Sequence, residues 1–290
     1  MADIIQILSL AILALSTIYC MALLRNSLRT NNLYALRENV ERENIVANTN
    51  EILVRNKITQ AKEAAGWNGT RKFLVSRKVL EAKDQCSFYF TPHDGRKLPP
   101  FEPGQFLTFR LDIPGQKKQT IRCYSLSDSP KSDYYRCTIK RVPPPRDSDH
   151  APGLSSNYFH DFVEEGKILD VRAPGGHFFL DTKRQTPVVL IGGGIGLTPV
   201  LSMVNHIIDT GSKRETWFFY GVTNGVDHAM KEHLEKIDAD HDHINICVVY
   251  SRPRDDEDTE GKDYKYSGRV GVDLFKKVLP SNNFDYYFCG

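Results

Sequence analysis

A glycine-rich turn separates an apolar run from a helix-like segment in the second half of the chain. The turn reads Ile191-Gly-Gly-Gly-Ile-Gly-Leu-Thr-Pro199 and follows the apolar stretch that begins at Pro187. Glycine lets a backbone approach an anion closely, and a helix start offers free N–H groups and a positive dipole end. The pattern favours a phosphate-binding turn, although many such turns only pack a helix on a strand. The candidate binding residues are Gly193, Gly194, Gly196 and Thr198.

A second candidate is the strand-like run Arg122-Cys-Tyr-Ser-Leu-Ser127. By strand alternation, Arg122, Tyr124 and Leu126 lie on one side, with Cys123 and Ser125 on the other. An arginine and a tyrosine on one face could hold a phosphate and an aromatic ring. On spacing alone, an exposed strand face without a ligand is the stronger of the two interpretations.

Short β-type runs surround this motif and must position it. Turn residues separate them, which predicts a six-stranded antiparallel barrel. One helix is expected over 157–164, capped by Ser155 or Ser156 and ended by Gly166. The predicted strands are 71–80, 85–92, 105–112, 120–127, 134–142 and 168–172.

From Pro187 onward, strand and helix alternate. Apolar strands at 187–191, 216–222 and 245–251 are separated by helical patterns, and an aromatic strand "FDYYF" follows near the end. This rhythm predicts a parallel sheet covered by helices.

The N-terminus differs from the rest. The run from Ile4 to Leu24 holds no charged residue, which predicts a transmembrane helix. Arginines follow it before the first acid, Glu38, so the positive-inside rule predicts that the catalytic part is cytoplasmic. A helical stalk is expected over 25–66.

Composition excludes several classes of function. A net charge of +2 gives no support to nucleic-acid binding. The six cysteines have no iron–sulfur or zinc spacing. The histidines at 228, 233, 241 and 243 match no metal motif, so we expect no metal site.

Several motifs, in order, resemble one family. "RCYSLS" resembles the Arg-x-Tyr-Ser motif of the ferredoxin–NADP reductase superfamily. "PGQF", "YRCTIKR", "GLSSNYFHDFVEEG", "APGGHFFL", "VLIGGGIGLTPVLSM" and "YYFCG" look like the reductase half of flavohaemoglobins and oxygenase-reductase components. The resemblance covers 67–290 and leaves 1–66 unexplained.

The resemblance implies roles for individual residues. Arg122 would pair with the FAD pyrophosphate, Tyr124 would pack on the flavin, and Ser125 would lie near flavin N5. The second flavin-phosphate contacts would come from Gly153, Ser155 and Ser156. The glycine turn would hold NADPH or NADH, and Cys289 would sit beside the nicotinamide. In this scheme Ser125 and Cys289 are the catalytic residues, and Leu126, Ser251 and Arg252 complete the cofactor-binding set.

The residues expected to bind the adenosine end of the coenzyme favour NADPH over NADH only slightly. Ser251 and Arg252, with Arg254, Lys262 and Tyr264, loosely resemble the 2′-phosphate site of NADP-preferring reductases. Four acids in the same loop, 255–258, would repel a phosphate.

These observations predict an α+β two-domain protein preceded by a transmembrane helix. The expected domains are an anchor at 1–24, a stalk at 25–66, an FAD barrel at 67–183 and an NAD(P) domain at 184–290, incomplete at its C-terminus. The expected activity is hydride transfer from NAD(P)H to FAD, then single electrons to a ferredoxin, cytochrome or oxygenase component, or to a fused [2Fe–2S] domain. A cytochrome-b5-reductase-like enzyme and a non-catalytic flavin-binding sensor or assembly subunit remain alternatives.

Overall fold

The computed structural model describes residues 66–290, except 132, 146 and 148, together with scattered positions between 19 and 49. The chain divides into two compact units, Met1–Ala64 and Ala65–Gly290. The described positions of the first unit, such as 41–43, are helical. Both sheets and the candidate site belong to the second unit.

An antiparallel sheet forms the first half of this unit, in the strand order β4-β3-β6-β1-β2-β5. A bridge between Leu126 and Cys137 joins the end of β4 to β5, which closes the sheet into a barrel. The antiparallel barrel predicted from the sequence is therefore present. Its strands are β1 (Arg71–Ala82), β2 (Gln85–Pro92), β3 (Phe106–Leu111), β4 (Thr120–Ser125), β5 (Tyr135–Lys140) and β6 (Ile168–Gly175).

The barrel interior is aromatic. In β3 every second side chain is buried, as the alternation of a strand predicts, whereas β2 and β5 are buried at most positions. Phe73, Phe88, Phe90 and Phe109 are fully buried in one cluster. Trp67 packs beside Phe73, with ring centroids 5.5 Å apart, and donates a 2.9 Å hydrogen bond to the carbonyl of Val171.

A parallel sheet forms the second half, in the strand order β10-β9-β8-β7-β11. Every neighbouring pair in it is parallel. This confirms the predicted α/β sheet with helices between its strands. The strands are β7 (Val188–Gly193), β8 (Thr216–Val222), β9 (Ile244–Tyr250), β10 (Tyr266–Ser267) and β11 (Asp285–Cys289).

Four helices accompany the two sheets within 66–290. Helix α1 (Leu154–Phe162) belongs to the barrel, between β5 and β6. Helices α2 (Leu197–Asp209) and α3 (Lys231–Asp240) contribute Val200, Leu201 and Leu234 to the main apolar cluster of the parallel sheet. Helix α4 (Val272–Val278) contributes Phe275 to a smaller cluster that contains Phe219. The second tryptophan, Trp217, lies on β8 in that smaller cluster.

One polar network joins the two sheets. Asp128, which follows β4, accepts a 2.9 Å hydrogen bond from the Asn205 amide on α2 and a 2.8 Å bond from the Tyr134 hydroxyl. The Ser202 hydroxyl donates to the Asp128 carbonyl over 2.7 Å. Arg136 of β5 lies 3.7 Å from the same carboxylate and is almost fully buried. The sheets are therefore fixed to each other by directional bonds around one carboxylate.

The predicted transmembrane helix, and with it the membrane localisation, is wrong. A crossing requires about 20 consecutive apolar residues in one helix. Within the residues that the structure describes, no helix has both that length and that apolar character. The longest helix between 66 and 290, α2, has 13 residues. Most of the predicted anchor and stalk, 1–66, lies outside the described residues.

Candidate functional site

Strand β4 carries the first group of predicted site residues. Arg122 is exposed, and its guanidinium donates only to the neighbouring Ile121 carbonyl, at 2.7 Å. Tyr124 is half-buried and packs edge-on against Phe109 and Phe159, at 5.9 and 5.1 Å between ring centroids. Ser125 ends the strand opposite Phe106, and Leu126 is fully buried. The barrel core thus fixes the Tyr124 ring while the Arg122 fork stays open to solvent.

Helix α1 carries the second group. Gly153 is its N-cap residue, and a Cβ there would lie 2.7 Å from Val142 Cβ, so only glycine fits. The Ser156 hydroxyl is held inside the turn, because it accepts from the Val142 N–H and donates to the Gly153 carbonyl, each at 3.2 Å. The first backbone N–H groups of the helix have no intrahelical acceptor. Together they form an anion-accepting helix start beside β4.

A hydrogen bond brings the two groups together. The Tyr124 hydroxyl donates to Ser155 Oγ over 3.1 Å, linking the centre of β4 to the first turn of α1. Burial raises the pKa of Tyr124, and the bond to Ser155 acts weakly in the opposite direction. The phenol therefore stays neutral at physiological pH and keeps its proton for donation.

This arrangement fits an FAD pyrophosphate. The exposed Arg122 guanidinium, with no acid paired to it among the described residues, is a charge-assisted donor with the planar geometry that phosphate prefers. The N-terminus of α1 supplies N–H groups, and Gly153 lets Val142 and Ser156 pack closely at that helix start. The Tyr124 ring, fixed by packing, is hydrogen-bonded to the same helix start. The site thus combines a cation for the pyrophosphate with an aromatic ring for the flavin.

The glycine turn carries the third group. Gly194 has a φ of 53°, a left-handed conformation that favours glycine, and nothing lies within 4 Å of the place a Cβ would take. A Cβ on Gly193 would lie 3.4 Å from Gly290 Cα, which is ordinary van der Waals contact. Both residues present bare backbone to the space above the sheet, which suits close approach by a nucleotide.

Gly196 and Thr198 have packing roles in this geometry. A Cβ on Gly196 would lie 2.1 Å from the Cys289 carbonyl oxygen, so the end of β11 rests directly on this glycine. The Thr198 hydroxyl is buried and donates to the Ile195 carbonyl over 3.0 Å. Cys289 itself is half-buried beside Gly192, and burial raises its thiol pKa. The thiol is therefore protonated at neutral pH.

A cleft of about 470 Å³ opens at the carboxyl ends of the parallel strands. Ligands of open α/β sheets bind at this edge. Three predicted residues meet there: Gly193, Gly194 and Ser251. The Ser251 and Arg252 backbones are held in place by N–H bonds to the carbonyls of Val222 and Thr223, at 2.9 and 2.8 Å. Bare glycines below an apolar cleft fit a nicotinamide nucleotide.

The cleft also contains residues that sequence reasoning missed. Thr223 follows β8 directly, and the rule about carboxyl ends of parallel strands could have found it. Arg269 is exposed and stands next to Gly268 in the lining. Lys140 belongs to the barrel strand β5, and its Nζ lies 3.5 Å from Asp227 Oδ1. No local sequence pattern predicts that contact.

Comparison with known proteins gives consistent matches. Residues 190–290 match the model of the oxidoreductase NAD-binding domain. The flavohemoprotein of Bacillus cereus is 39% identical over 230 residues, which is 79% of this chain and 56% of that protein. The chain thus spans little more than half the length of the curated relatives it matches.

Solved structures support the same relationship. The flavohem-like FAD/NAD binding domain of nitric oxide dioxygenase from Vibrio cholerae has a TM-score of 0.66 and 28% identity, over 76% of this chain and 86% of that one. The cytochrome b5 reductase domain of nitrate reductase from Ulva prolifera, 20% identical, has a TM-score of 0.62 over 75% of this chain and 84% of that domain, and shows the fold alone.

The fold and the matches show an oxidoreductase NAD-binding domain at 190–290, within a unit that is built like the ferredoxin–NADP reductases. More particularly, residues of the second unit are homologous to the reductase half of flavohemoproteins. The resemblance found in the sequence is therefore confirmed. The predicted cofactors, FAD with NADPH or NADH, agree with these homologues.

Proposed function

We propose that the protein is an FAD-dependent NAD(P)H oxidoreductase that passes electrons to a one-electron acceptor. The observation that carries the proposal is the Tyr124–Ser155 hydrogen bond, which assembles the β4 motif and the α1 N-terminus into one cationic site. The cleft over the glycine turn supplies the second site, within the same compact unit. A reductase needs both sites, one for each of its redox partners.

The protein contributes binding, orientation and charge. Arg122 and the α1 N-terminus hold the FAD pyrophosphate, and Tyr124 positions the isoalloxazine ring of FAD. Gly193 and Gly194 let the coenzyme lie on the backbone, and Ser125 offers a hydroxyl at the flavin. When bound, FAD accepts hydride from the coenzyme and can release electrons singly. Catalysis by the chain is thus chiefly a matter of placing two ligands against each other.

The acceptor lies outside the residues described here. The histidine, cysteine, aspartate and glutamate side chains of the described residues form no group that could hold a metal ion. The relatives are named flavohemoproteins, so a haem group is the first acceptor class to test. Other candidates also accept one electron at a time: a ferredoxin, a cytochrome, an oxygenase component or a fused [2Fe–2S] domain.

FAD content tests the flavin site. The purified protein should be yellow and hold FAD, and Arg122→Ala should weaken its retention about tenfold or more, the order expected for a lost charge-assisted bond. Arg110→Ala is the matched control, because it removes an exposed arginine from the neighbouring strand β3. Equal FAD content in the wild type and Arg122→Ala would refute the pyrophosphate role. A colourless protein that takes up no added FAD would refute the flavin assignment altogether.

Anaerobic stopped-flow reduction tests the catalytic assignment. NAD(P)H should bleach the bound flavin, and Ser125→Ala should slow that step more than it weakens coenzyme binding. Equal loss of both would contradict a role for Ser125 at the flavin. A flavin that binds tightly but is reduced by neither coenzyme would support the non-catalytic alternative, a sensor or assembly subunit. Turnover with cytochrome b5 but with no other acceptor would support the cytochrome-b5-reductase-like alternative.

A further inference from the structure

A charged loop follows β9 at one end of the cleft. It begins at Ser251, which lines the cleft, and runs to Lys265. The adenosine ribose of a nucleotide bound to such a sheet lies near the end of the strand next to the glycine-turn strand. Here that strand is β8, and Gly225 follows it closely. The side chains packed on Gly225 therefore face the position where NADH and NADPH differ.

Arg254 stands at that position, but each of its three guanidinium nitrogens bonds an acid. Its Nη2 lies 2.8 Å from Asp258 Oδ1, and its Nε donates to Oδ2 at 3.2 Å. Its Nη1 bonds Glu257. All three guanidinium nitrogens thus bond carboxylates, and the two negative charges outweigh the one positive charge, so a phosphate would meet net repulsion.

Asp258 is built into the fold. Its side chain is 2% exposed, and it also accepts the N–H groups of Arg254, at 2.8 Å, and Gly225, at 3.4 Å. A Cβ on Gly225 would lie 2.6 Å from Asp258 Oδ1 and 3.0 Å from Arg254 Nη2, so glycine there makes room for the pair. Hydrogen bonding from Arg254 lowers the pKa of Asp258 to about 2. The carboxylate thus stays charged at every working pH.

Two other side chains that the sequence suggests for a 2′-phosphate, Tyr264 and Lys262, are also unavailable. Tyr264 is buried and stacks on Tyr250, with ring centroids 4.7 Å apart. Lys262 lines a different depression, together with Leu234 and Ile246. Asp255 and Asp256 are exposed in the same loop and add negative charge. Ser251 and Arg252, which the sequence also suggests for this phosphate, remain exposed, but they follow β9 and not β8. We therefore assign Arg252, with the exposed Arg269, to the diphosphate that both coenzymes share.

We propose that Asp258 withholds Arg254 from the coenzyme and that this site is consequently built for NADH. The proposal rests on the proposed function, and it assigns Asp258 as a positioning residue that acts through Arg254. It reverses the slight preference for NADPH that the sequence suggests, because two of the side chains counted for that preference, Arg254 and Tyr264, are used inside the loop.

The experiment compares flavin reduction by NADH and NADPH in the FAD-loaded protein. The wild type should favour NADH by about tenfold or more in reduction rate over dissociation constant, the order of one charge-assisted phosphate contact. Asp258→Asn should shift the ratio toward NADPH by a similar factor, chiefly through a lower NADPH dissociation constant. Adding Arg254→Leu to Asp258→Asn should cancel the gain.

The matched control is Asp263→Asn. It removes an equal charge from the same loop, but Asp263 pairs with Lys231 and not with Arg254. An equal shift in this control would overturn the proposal and would assign the preference to the total charge of the loop. A wild type that prefers NADPH, or an unchanged ratio in folded Asp258→Asn, would also overturn the proposal.

If Asp258→Asn does not fold, Glu257→Gln decides, because the exposed Glu257 side chain also pairs with Arg254. A smaller shift toward NADPH supports the proposal, and no shift overturns it. Reduction by neither coenzyme would refute the proposed function instead.

Discussion

The bond between Tyr124 and Ser155 can be tested without disturbing the barrel. Tyr124→Phe keeps the ring contacts with Phe109 and Phe159 and removes only the donated hydrogen bond. We expect FAD binding to weaken by about five- to tenfold, because a lost hydrogen bond of this kind is worth about 1 kcal/mol. Fluorescence titration of the apoprotein with FAD measures it.

Tyr158→Phe is the control for that variant, since Tyr158 lies on the same helix α1 and also packs on Phe159. Its FAD affinity should stay within about twofold of the wild type. Equal affinity in Tyr124→Phe and the wild type would mean that the α1 start is positioned by packing alone.

His228 makes stability depend on pH. Its ring is buried, with Nδ1 2.8 Å from the Tyr250 hydroxyl and no partner at Nε2. Burial, helped by the charge of Lys231, lowers its pKa from 6.5 to about 4. The unfolded chain therefore binds the proton at higher pH than the folded one. The free energy of unfolding falls as pH drops from about 7 toward 4, and it is fully restored above that range.

Denaturant unfolding at several pH values checks this prediction. The full contribution of one such shift is roughly 3 kcal/mol, and His228→Gln should remove that part of the slope. His150→Gln is the control, because His150 is exposed. A slope that survives unchanged in His228→Gln would assign the pH dependence to other groups, such as the half-buried His206 and His233, whose pKa values partial burial also lowers.

At the scale of elements, the order of strands and helices between 71 and 289 follows from hydrophobic pattern and turn residues. Helix boundaries were less accurate for two helices, and side-chain competition explains one of them. Helix α1 begins at Leu154 and not at 157, because Ser156 bonds back to Gly153 within the first turn and does not cap it from outside. The pattern HAMKEHLEKI predicts a helix from His228, whereas helix α3 begins only at Lys231, after Met230 adopts a left-handed φ of 59°.

Gly196 shows how one element limits another. Gly196→Ala would place a methyl group 2.1 Å from the Cys289 carbonyl, so β11 or the glycine turn must move. We expect a loss of roughly 2–4 kcal/mol in the free energy of unfolding and weaker coenzyme binding. Gly211→Ala is not an equivalent control because of its positive φ, whereas Gly175→Ala is, since nothing lies near its Cβ position. Wild-type stability in Gly196→Ala would show that the end of β11 adapts freely.

The candidate site was only partly readable from the sequence. Local motifs located the β4 strand, the α1 start and the glycine turn, because each carries its signal within a few residues. The pairing of Arg254 with Asp258 was not readable, since it depends on burial against Gly225, a residue far away in the chain. Lys140 reaches the cleft only because the barrel and the parallel sheet meet there.

At the scale of the whole molecule, the Asp128 network should control cooperativity. Asp128→Ala leaves Arg136 buried without its carboxylate and removes the bonds from Asn205 and Tyr134. Removing one partner of a buried pair costs about 3–5 kcal/mol. Asp161→Ala is the control, because it breaks the more exposed Arg141–Asp161 pair and should cost about 1 kcal/mol or less. Similar losses in both variants, measured by denaturant unfolding, would contradict a joining role for Asp128.

The two tryptophans give the molecule a built-in optical readout. Trp67 is hydrogen-bonded to the barrel at Val171, and Trp217 on β8 donates to Glu215 at 2.8 Å. The sequence holds two tryptophans in all, so each sheet carries its own emitter. In Trp217→Phe the emission reports the barrel, and in Trp67→Phe it reports the parallel sheet. A flavin bound at β4 would quench the fluorescence of the two tryptophans to different extents. The same two variants therefore report both FAD binding and the separate unfolding of each sheet.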